Sequence, residues 1–249
     1  MLCALISDIH SNWEALEAVF SIIDSMPVDA LYCLGDIVGY NADPEACLEA
    51  VLARATLVVR GNHDKAVAGL MDLTWFNRVA RDAALWTRKN MSRASLGAVK
   101  NLPPGPLEAG EGILLCHGTP YDEDEYLFDD GTIAESFRTM EESHPGMDFC
   151  FCGHTHYPMA LVKRGGQGEA ELISGDGEVE LRDGDKWLIN PGSVGQPRDG
   201  IPRASFGILD TQRRIYRNLR VAYDFAVTQR KILTAGLPPE LARRLAEGR

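Results

Sequence analysis

The chain has 249 residues, 45% of them hydrophobic and 24% charged, which suits one large domain or two small ones built on a real core. Lys and Arg number 25 against 36 Asp and Glu, a net charge of −11, so the surface repels a phosphate backbone on average and broad nucleic-acid binding is not expected. Every apolar run is shorter than the roughly 18 residues of a membrane span, and the start "MLCALISDIHSN" lacks a basic n-region, so neither a membrane span nor a signal peptide is predicted.

The first half alternates. "LCALIS" (2–7) reads as a strand. Residues 11–24 carry Trp13, Leu16, Val19, Phe20 and Ile23 at helical spacing, with Ser11 and Glu14 as a capping box. "ALYCLG" (30–35) is a second strand, and "DPEACLEAVLAR" (43–54) a second helix with Asp43 as N-cap and Pro44 in its first turn. "TLVVRG" (56–61) is a third strand. This βαβαβ order predicts mainly parallel strands. Residues 65 to about 100 read as helical, with Trp75, Phe76, Val79, Ala83 and Trp86 as a stripe. "NLPPGPLEAGEG" (101–112) breaks the pattern.

"ILLCHG" (113–118) and "DFCFCGH" (148–154) are strands, separated by the helix "DGTIAESFRTMEES" (130–143). After Tyr157 the texture changes to short strands and tight turns, which predicts a β-meander or antiparallel sheet up to residue 223. Two short helices split at Gly236-Leu237-Pro238-Pro239 close the chain. No repeat or linker interrupts it, so residues 1–249 are expected to form a single domain with two sheets and outer helices. The six cysteines form no CxxC pair; they are read as buried free thiols of a cytoplasmic protein, not as a sulfur-ligated zinc site.

Five strand ends carry polar clusters: Asp8 and His10 in "SDIH", Asp36 in "GDIVG", Asn62, His63 and Asp64 in "GNHD", His117 in "CHG", and His154 and His156 in "GHTH". Carboxyl ends of strands are where α/β sheets build sites. Each cluster alone is an ordinary turn or cap. Together they take five of the six histidines, which chance placement does not explain. His144, in "ESHPG", is a loop residue with no role. Asp8, Asp36, Asn62, His10, His117, His154 and His156 offer more ligands than one ion needs. They match two ions about 3.5–4 Å apart that share a carboxylate. Mixed nitrogen and oxygen donors suit divalent Mn, Fe, Ni or Zn, not Ca or Mg.

In this order the motifs resemble those of the calcineurin-like metallophosphoesterases, DxH, GDxxG, GNH(D/E), (G)H and GHxH, over residues 8 to 156. "LINPGSVGQPRDGIPRASFGILD" and "HGTPYDEDEYLF" look like the small prokaryotic phosphodiesterase branch. Cys116 departs from the glycine or other small residue of some members and is expected to point into the sheet. The resemblance implies a four-layer αββα sandwich. It implies that Asp8, His10 and His156 hold one metal, that Asn62, His117 and His154 hold the other, and that Asp36 bridges them.

A hydroxide held between the ions would attack phosphorus. His63 would then protonate the leaving oxygen or stabilise the phosphoryl charge, with Asp64 hydrogen-bonded to His63 or serving as a helix cap. Asn62, His63 and Arg198 are the candidate substrate contacts, Arg198 either clamping phosphate or standing as a solvated loop residue. Asn190 and Ser193 build a turn. The activity implied is hydrolysis of phosphodiesters. Phosphomonoesters, phosphoproteins and dinucleoside polyphosphates are alternatives, and a non-catalytic scaffold of the same fold is a third class. The segment 65–105 and the acidic "YDEDEYLFDDG" are the expected walls of the site.

Overall fold

The computed structural model of the chain describes residues 1–166 and 168–249. Its first half follows the alternation: β1 (Leu2–Ile6), α1 (Trp13–Ile23), β2 (Ala30–Cys33), α2 (Pro44–Arg54) and β3 (Leu57–Val58). β1, β2 and β3 pair in parallel. β1 is buried on both faces: Cys3 and Leu5 enter one apolar cluster, Ala4 and Ile6 another, as the period of two requires. α1 buries the expected stripe apart from Trp13, which is partly buried. Its cap is Asn12, whose Oδ1 accepts from the Ala15 N–H at 3.2 Å, and not Ser11. Ser11 sits at φ 56° in the loop before the helix, and Glu14 pairs with Lys231 at 2.5 Å instead.

The stretch expected to be helical from 65 resolves into α3 (Asn62–Ala68), α4 (Arg78–Asn90) and α5 (Arg93–Lys100). Gly69 ends α3 in the left-handed region, and the side chains of Asn77 and Ser92 cap the next two helices. A helical stripe through Trp75 therefore does not form. Trp75 lies in a single turn between α3 and α4 and is 83% exposed.

The second half contributes β4 (Leu107–Glu108), β5 (Ile113–Leu115), α6 (Asp130–Ser143), β6 (Phe149–Phe151), β7 (Met159–Lys163), β8 (Glu171–Ser174), β9 (Gly177–Glu180), β10 (Lys186–Asn190), β11 (Ala204–Asp210), β12 (Ile215–Val221), α7 (Phe225–Thr234) and α8 (Pro239–Glu247). Two mixed six-stranded sheets result, with orders β3-β2-β1-β11-β12-β9 and β4-β5-β6-β10-β7-β8. The expected meander is thus divided. The β11–β12 hairpin pairs with β1 to extend the first sheet, while β10 runs parallel to β6 in the second.

Three apolar layers separate four layers of structure. Leu16, Phe20, Leu48 and Val67 from the outer helices pack on the first sheet. Leu5, Tyr32, Phe149, Phe151 and Trp187 fill the space between the sheets. Phe137 and Met140 of α6 cover Cys116, Cys150 and Cys152 on the outer face of the second sheet. This is the αββα sandwich that the resemblance implied. α7 and α8 pack on α4 at one side through Ile232, Leu241 and Leu245.

Candidate metal centre

The loops after β1, β2, β3, β5 and β6 meet at one end of the sandwich. Backbone bonds lace them together. The Asp8 and His10 N–H groups donate to the Gly35 and Asp36 carbonyls at 3.1 and 2.9 Å, and Gly153 N–H donates to the His117 carbonyl at 2.8 Å. Asp8, His10, Asp36, His154 and His156 all have φ between 48° and 66°, a left-handed backbone that non-glycine residues seldom adopt and that clusters at functional sites. Gly61 permits the closest approach: a Cβ there would lie 2.0 Å from Asp36 Oδ1.

Asp8, His10, Asp36, Asn62, His63, Asp64, His117, His154 and His156 are all buried. The donor atoms of Asp8, His10 and His156 converge in one group and those of Asp36, His117 and His154 in another, while His63 converges with His10 and Asp36 between the two. The two histidines of "GHTH" therefore fall in different groups, and Thr155 between them is held by Asn190 Nδ2 at 3.0 Å. A single oxygen, Asp36 Oδ2, faces both groups, 3.6 Å from His10 Nε2 and 3.5 Å from His117 Nε2. The other oxygen, Oδ1, accepts from the His63 backbone N–H at 2.8 Å.

The hydrogen bonds of the rings test whether a cation fits. His10, His117 and His156 donate Nδ1–H to the carbonyls of Val38 (3.3 Å), Leu34 (2.7 Å) and Gln196 (2.6 Å). That fixes the tautomer and leaves each Nε2 as a lone pair. His10 Nε2 and His156 Nε2 then face each other at 3.2 Å, and His117 Nε2 faces Asn62 Oδ1 at 3.2 Å. The opposed acceptors of His10 and His156 repel inside a buried site unless a cation lies between them, and the place between His117 Nε2, Asn62 Oδ1 and Asp36 likewise takes a proton or a metal ion. His154 takes the opposite tautomer: its Nε2–H donates to the Asp124 carbonyl at 3.1 Å, which leaves Nδ1 for a metal. This donor set fits divalent transition metals.

The electrostatics agree. Burial lowers His117, but the charge and hydrogen bond of Asp36 outweigh it and push the ring up to about 10. The carboxylates thus call for positive charge at the place where ligands converge. Burial holds His10 and His156 well below the usual imidazole range, so they stand neutral and ready to ligate. Burial raises Asp8 to about 7.

His63 lies among these donors, its ring 4.8 Å from that of His10. Tyr40 and Phe76 pack on it at 4.3 and 4.6 Å. Its Nδ1 is buried without a hydrogen-bond partner, pressed against Gly39, where a Cβ would come within 2.8 Å of it. The expected Asp64–His63 bond is not made. The Asp64 carboxylate accepts from the backbone N–H groups of Val38 (3.2 Å) and Gly61 (2.9 Å), so it ties the second motif loop to the third from inside the first turn of α3.

Arg198 is partly buried, with Nη2 3.5 Å from Gln196 Oε1. It lies within electrostatic reach of Asp8, His63, His154 and Tyr126. Asn190 and Ser193 do build a turn, and they also brace the motifs. Asn190 Nδ2 donates to the Gly153 carbonyl at 2.6 Å, and Ser193 Oγ donates to the Asp8 carbonyl at 2.8 Å. Cys116 points away from the centre, its sulfur 3.6 Å from that of Cys150. His144, outside the centre, contacts Glu108 at 3.3 Å.

Sequence reasoning missed the carbonyls of Val38, Leu34, Gln196 and Asp124, since any residue type supplies a carbonyl. It also missed Tyr126, which stacks on His154. Only its place in the acidic stretch marked as a wall signalled it.

A family model described as "Calcineurin-like phosphoesterase superfamily domain" matches residues 1–214. An uncharacterized protein of Methanocaldococcus jannaschii is 38% identical over 252 residues, covering 100% of this chain and 98% of that protein. The crystal structure of a metallophosphoesterase from Sphaerobacter thermophilus superposes with a TM-score of 0.84 at 37% identity, over 100% of this chain and 99% of that one. A hypothetical protein of Pyrococcus horikoshii shares the fold, with a TM-score of 0.79 at 18% identity over 100% and 98% of the two chains. With its histidines and aspartates gathered at one end of the sandwich, the chain belongs to the calcineurin-like phosphoesterase superfamily and is a metal-dependent phosphoester hydrolase.

Proposed function

We propose that residues 1–249 act as one catalytic domain that hydrolyses phosphodiesters at a pair of divalent transition-metal ions (Mn, Fe, Ni or Zn). The observation that carries the pair is Asp36, whose Oδ2 faces His10 on one side and His117 on the other at nearly equal distances. Asp8, His10 and His156 would hold the first ion, and Asn62, His117 and His154 the second. Such ions supply Lewis acidity toward the phosphoryl oxygens and activate water as the nucleophile.

The chain's own groups do the rest. Arg198 would orient the phosphate from the open side, together with Asn62. Burial lowers His63 to about 4 despite the opposing charge of Asp36. The ring is then neutral at pH 7 and acts as a polar N–H donor to the charged phosphoryl group, not as an imidazolium acid. Asp64 acts by holding α3, and with it His63, in place. Exposed Asp122 and Glu125 on the loop beside the centre favour a singly charged diester over a doubly charged monoester. Six buried free thiols support a cytoplasmic protein. Among the described residues no helix is long and apolar enough to cross a membrane.

The test combines metal analysis with a panel of a diester, a monoester, a dinucleoside polyphosphate and a phosphopeptide, each in Mn, Ni, Fe and Zn. Two ions per chain and fastest turnover of the diester are expected. Asp36→Asn should lower both ion content and rate. Full occupancy with full activity in that variant would remove Asp36 from the bridge, and hydrolysis of no ester by a two-metal protein would favour the scaffold.

A further inference from the structure

The loop beside the centre carries an unusual row of rings. Tyr126 lies flat on His154, with centroids 3.7 Å apart and planes at 24°. Phe128 stacks on Tyr126 at 5.5 Å and 9°. Tyr157, next in sequence to His156, meets Phe128 edge-on at 6.2 Å. Tyr126, Phe128 and Tyr157 are 40, 58 and 41% exposed. Large apolar rings left open in one contiguous row mark an interaction site more often than they mark fold.

The row is held firmly. Arg60 and Lys65 reach from the third motif to Glu123 at 3.0 and 2.8 Å, and Lys65 also binds Asp124 at 2.5 Å. The Asp124 carbonyl in turn holds His154. The segment that fixes the tautomer of one ligand thus also presents the rings. Beyond Phe128 and Tyr157 the surface opens into a cavity of about 890 Å³, lined by Ile133, Phe137, Met159 and Leu161 among others.

Resting on the reading of the centre as a phosphodiesterase site, we propose that this aromatic row is the subsite for the base of a nucleoside phosphate ester. Distance selects the base over the aryl ring of a tyrosine phosphate. A ring bonded directly to the ester oxygen would have to lie against His154, whose face Tyr126 already covers. Tyr126 lies between His154 and Phe128, so the open face is that of Phe128, two ring-steps out, within reach of a base carried on a pentose. The rings offer stacking and little hydrogen-bonding, so purines and pyrimidines are both accepted. The net charge of −11 disfavours long polyanions and selects small nucleoside esters over nucleic-acid chains.

The experiment measures dissociation constants on the metal-loaded full chain by calorimetry. The probes are the non-hydrolysable methylene-phosphonate analogues of AMP and of ribose 5-phosphate, and phosphonomethyl-phenylalanine as the tyrosine-phosphate analogue. The AMP analogue should bind roughly tenfold more tightly than the ribose analogue, the size of one stacking contact. Phe128→Ala should erase most of that ratio. Phe128→Leu, which keeps the bulk without the ring, should erase it too. A ratio near one, a ratio unchanged in both variants, or tighter binding of the phenyl phosphonate overturns the subsite. Because the ratio is read without turnover, it fails separately from the ester panel, which alone tests the activity.

Discussion

His63 and Asp64 are sequence neighbours with different work. His63 has one nitrogen sealed against Gly39 and its ring wedged between Tyr40 and Phe76. Its ring converges with His10 and Asp36, which the two proposed ions already claim. His63→Ala should therefore cut kcat/KM by about 100-fold or more, the cost of removing one preorganised donor, while metal content measured by emission spectroscopy stays near normal. Loss of metal in step with activity would place His63 among the ligands instead. Asp64→Ala removes two buried acceptors from backbone N–H groups, and each orphaned donor costs about 1–3 kcal/mol. Urea unfolding should show a loss of about 2–5 kcal/mol for Asp64→Ala, larger than for His63→Ala. The reverse order would return Asp64 to a purely catalytic role. The adjacency of these two residues was plain in "GNHD"; that the carboxylate oxygens bind backbone N–H groups while one ring nitrogen lacks a partner was not, because backbone positions leave no mark in residue type.

At the scale of elements, legibility followed range. Strands buried on both faces, such as β1 and β6, announce themselves by continuous apolar runs, and the turn after each carries its metal-capable side chains within a few residues. Hence the side chains that converge at the centre were readable. The β11–β12 hairpin and β10 read correctly as strands but not as members of different sheets. Pairing with β1 or β6 depends on partners some 40 to 200 positions away, and local pattern is blind to it. Trp75 misled for a related reason: its spacing from Val79 and Ala83 is helical, but Gly69 and the cap at Asn77 interrupt the helix. The long-range role of β10 is itself testable. Asn190 at its end donates to the Gly153 carbonyl and Thr155, and accepts from Gly192 N–H, so it fixes the "GHTH" turn from a neighbouring strand. Asn190→Ala should destabilise the fold by about 2–4 kcal/mol and weaken metal binding, read by competition with a coloured chelator. Unchanged affinity would mean that the turn holds its shape without β10.

For the whole molecule, the centre joins the two sheets, with Asp8, His10 and Asp36 from one and His117, His154 and His156 from the other. Its charge balance therefore bears on global stability. In the chelated protein, His117 is held at about 10 by Asp36 and Asp8 against the effect of burial, whereas an unfolded histidine titrates near 6.5. Between those values the folded chain binds one more proton than the unfolded chain, so stability falls as pH rises. Asp8 and Asp64, raised by burial to about 7, act in the same direction up to that pH and then stop. The buried neutral rings of His63 and His154, lowered to about 4 and about 3, act in the opposite direction, but only below about 6.5, where the unfolded chain takes up protons that they refuse. From pH 7 to 8, before unfolded thiols titrate near 8.5 against Cys3, Cys33, Cys47, Cys116 and Cys150, which the fold holds higher, His117 thus sets the slope, at most about 1.4 kcal/mol per pH unit. Chelated protein should lose about 1 kcal/mol over that interval in urea titrations. With metal held as proposed, a cation would replace the proton between His117 and Asp36, and binding to the folded state alone would add stability by mass action. The loaded protein should be more stable throughout and flat or rising from pH 7 to 8. Parallel curves for the two forms would show that the charge drawn to His117 and Asp36 is not the charge that the metal supplies.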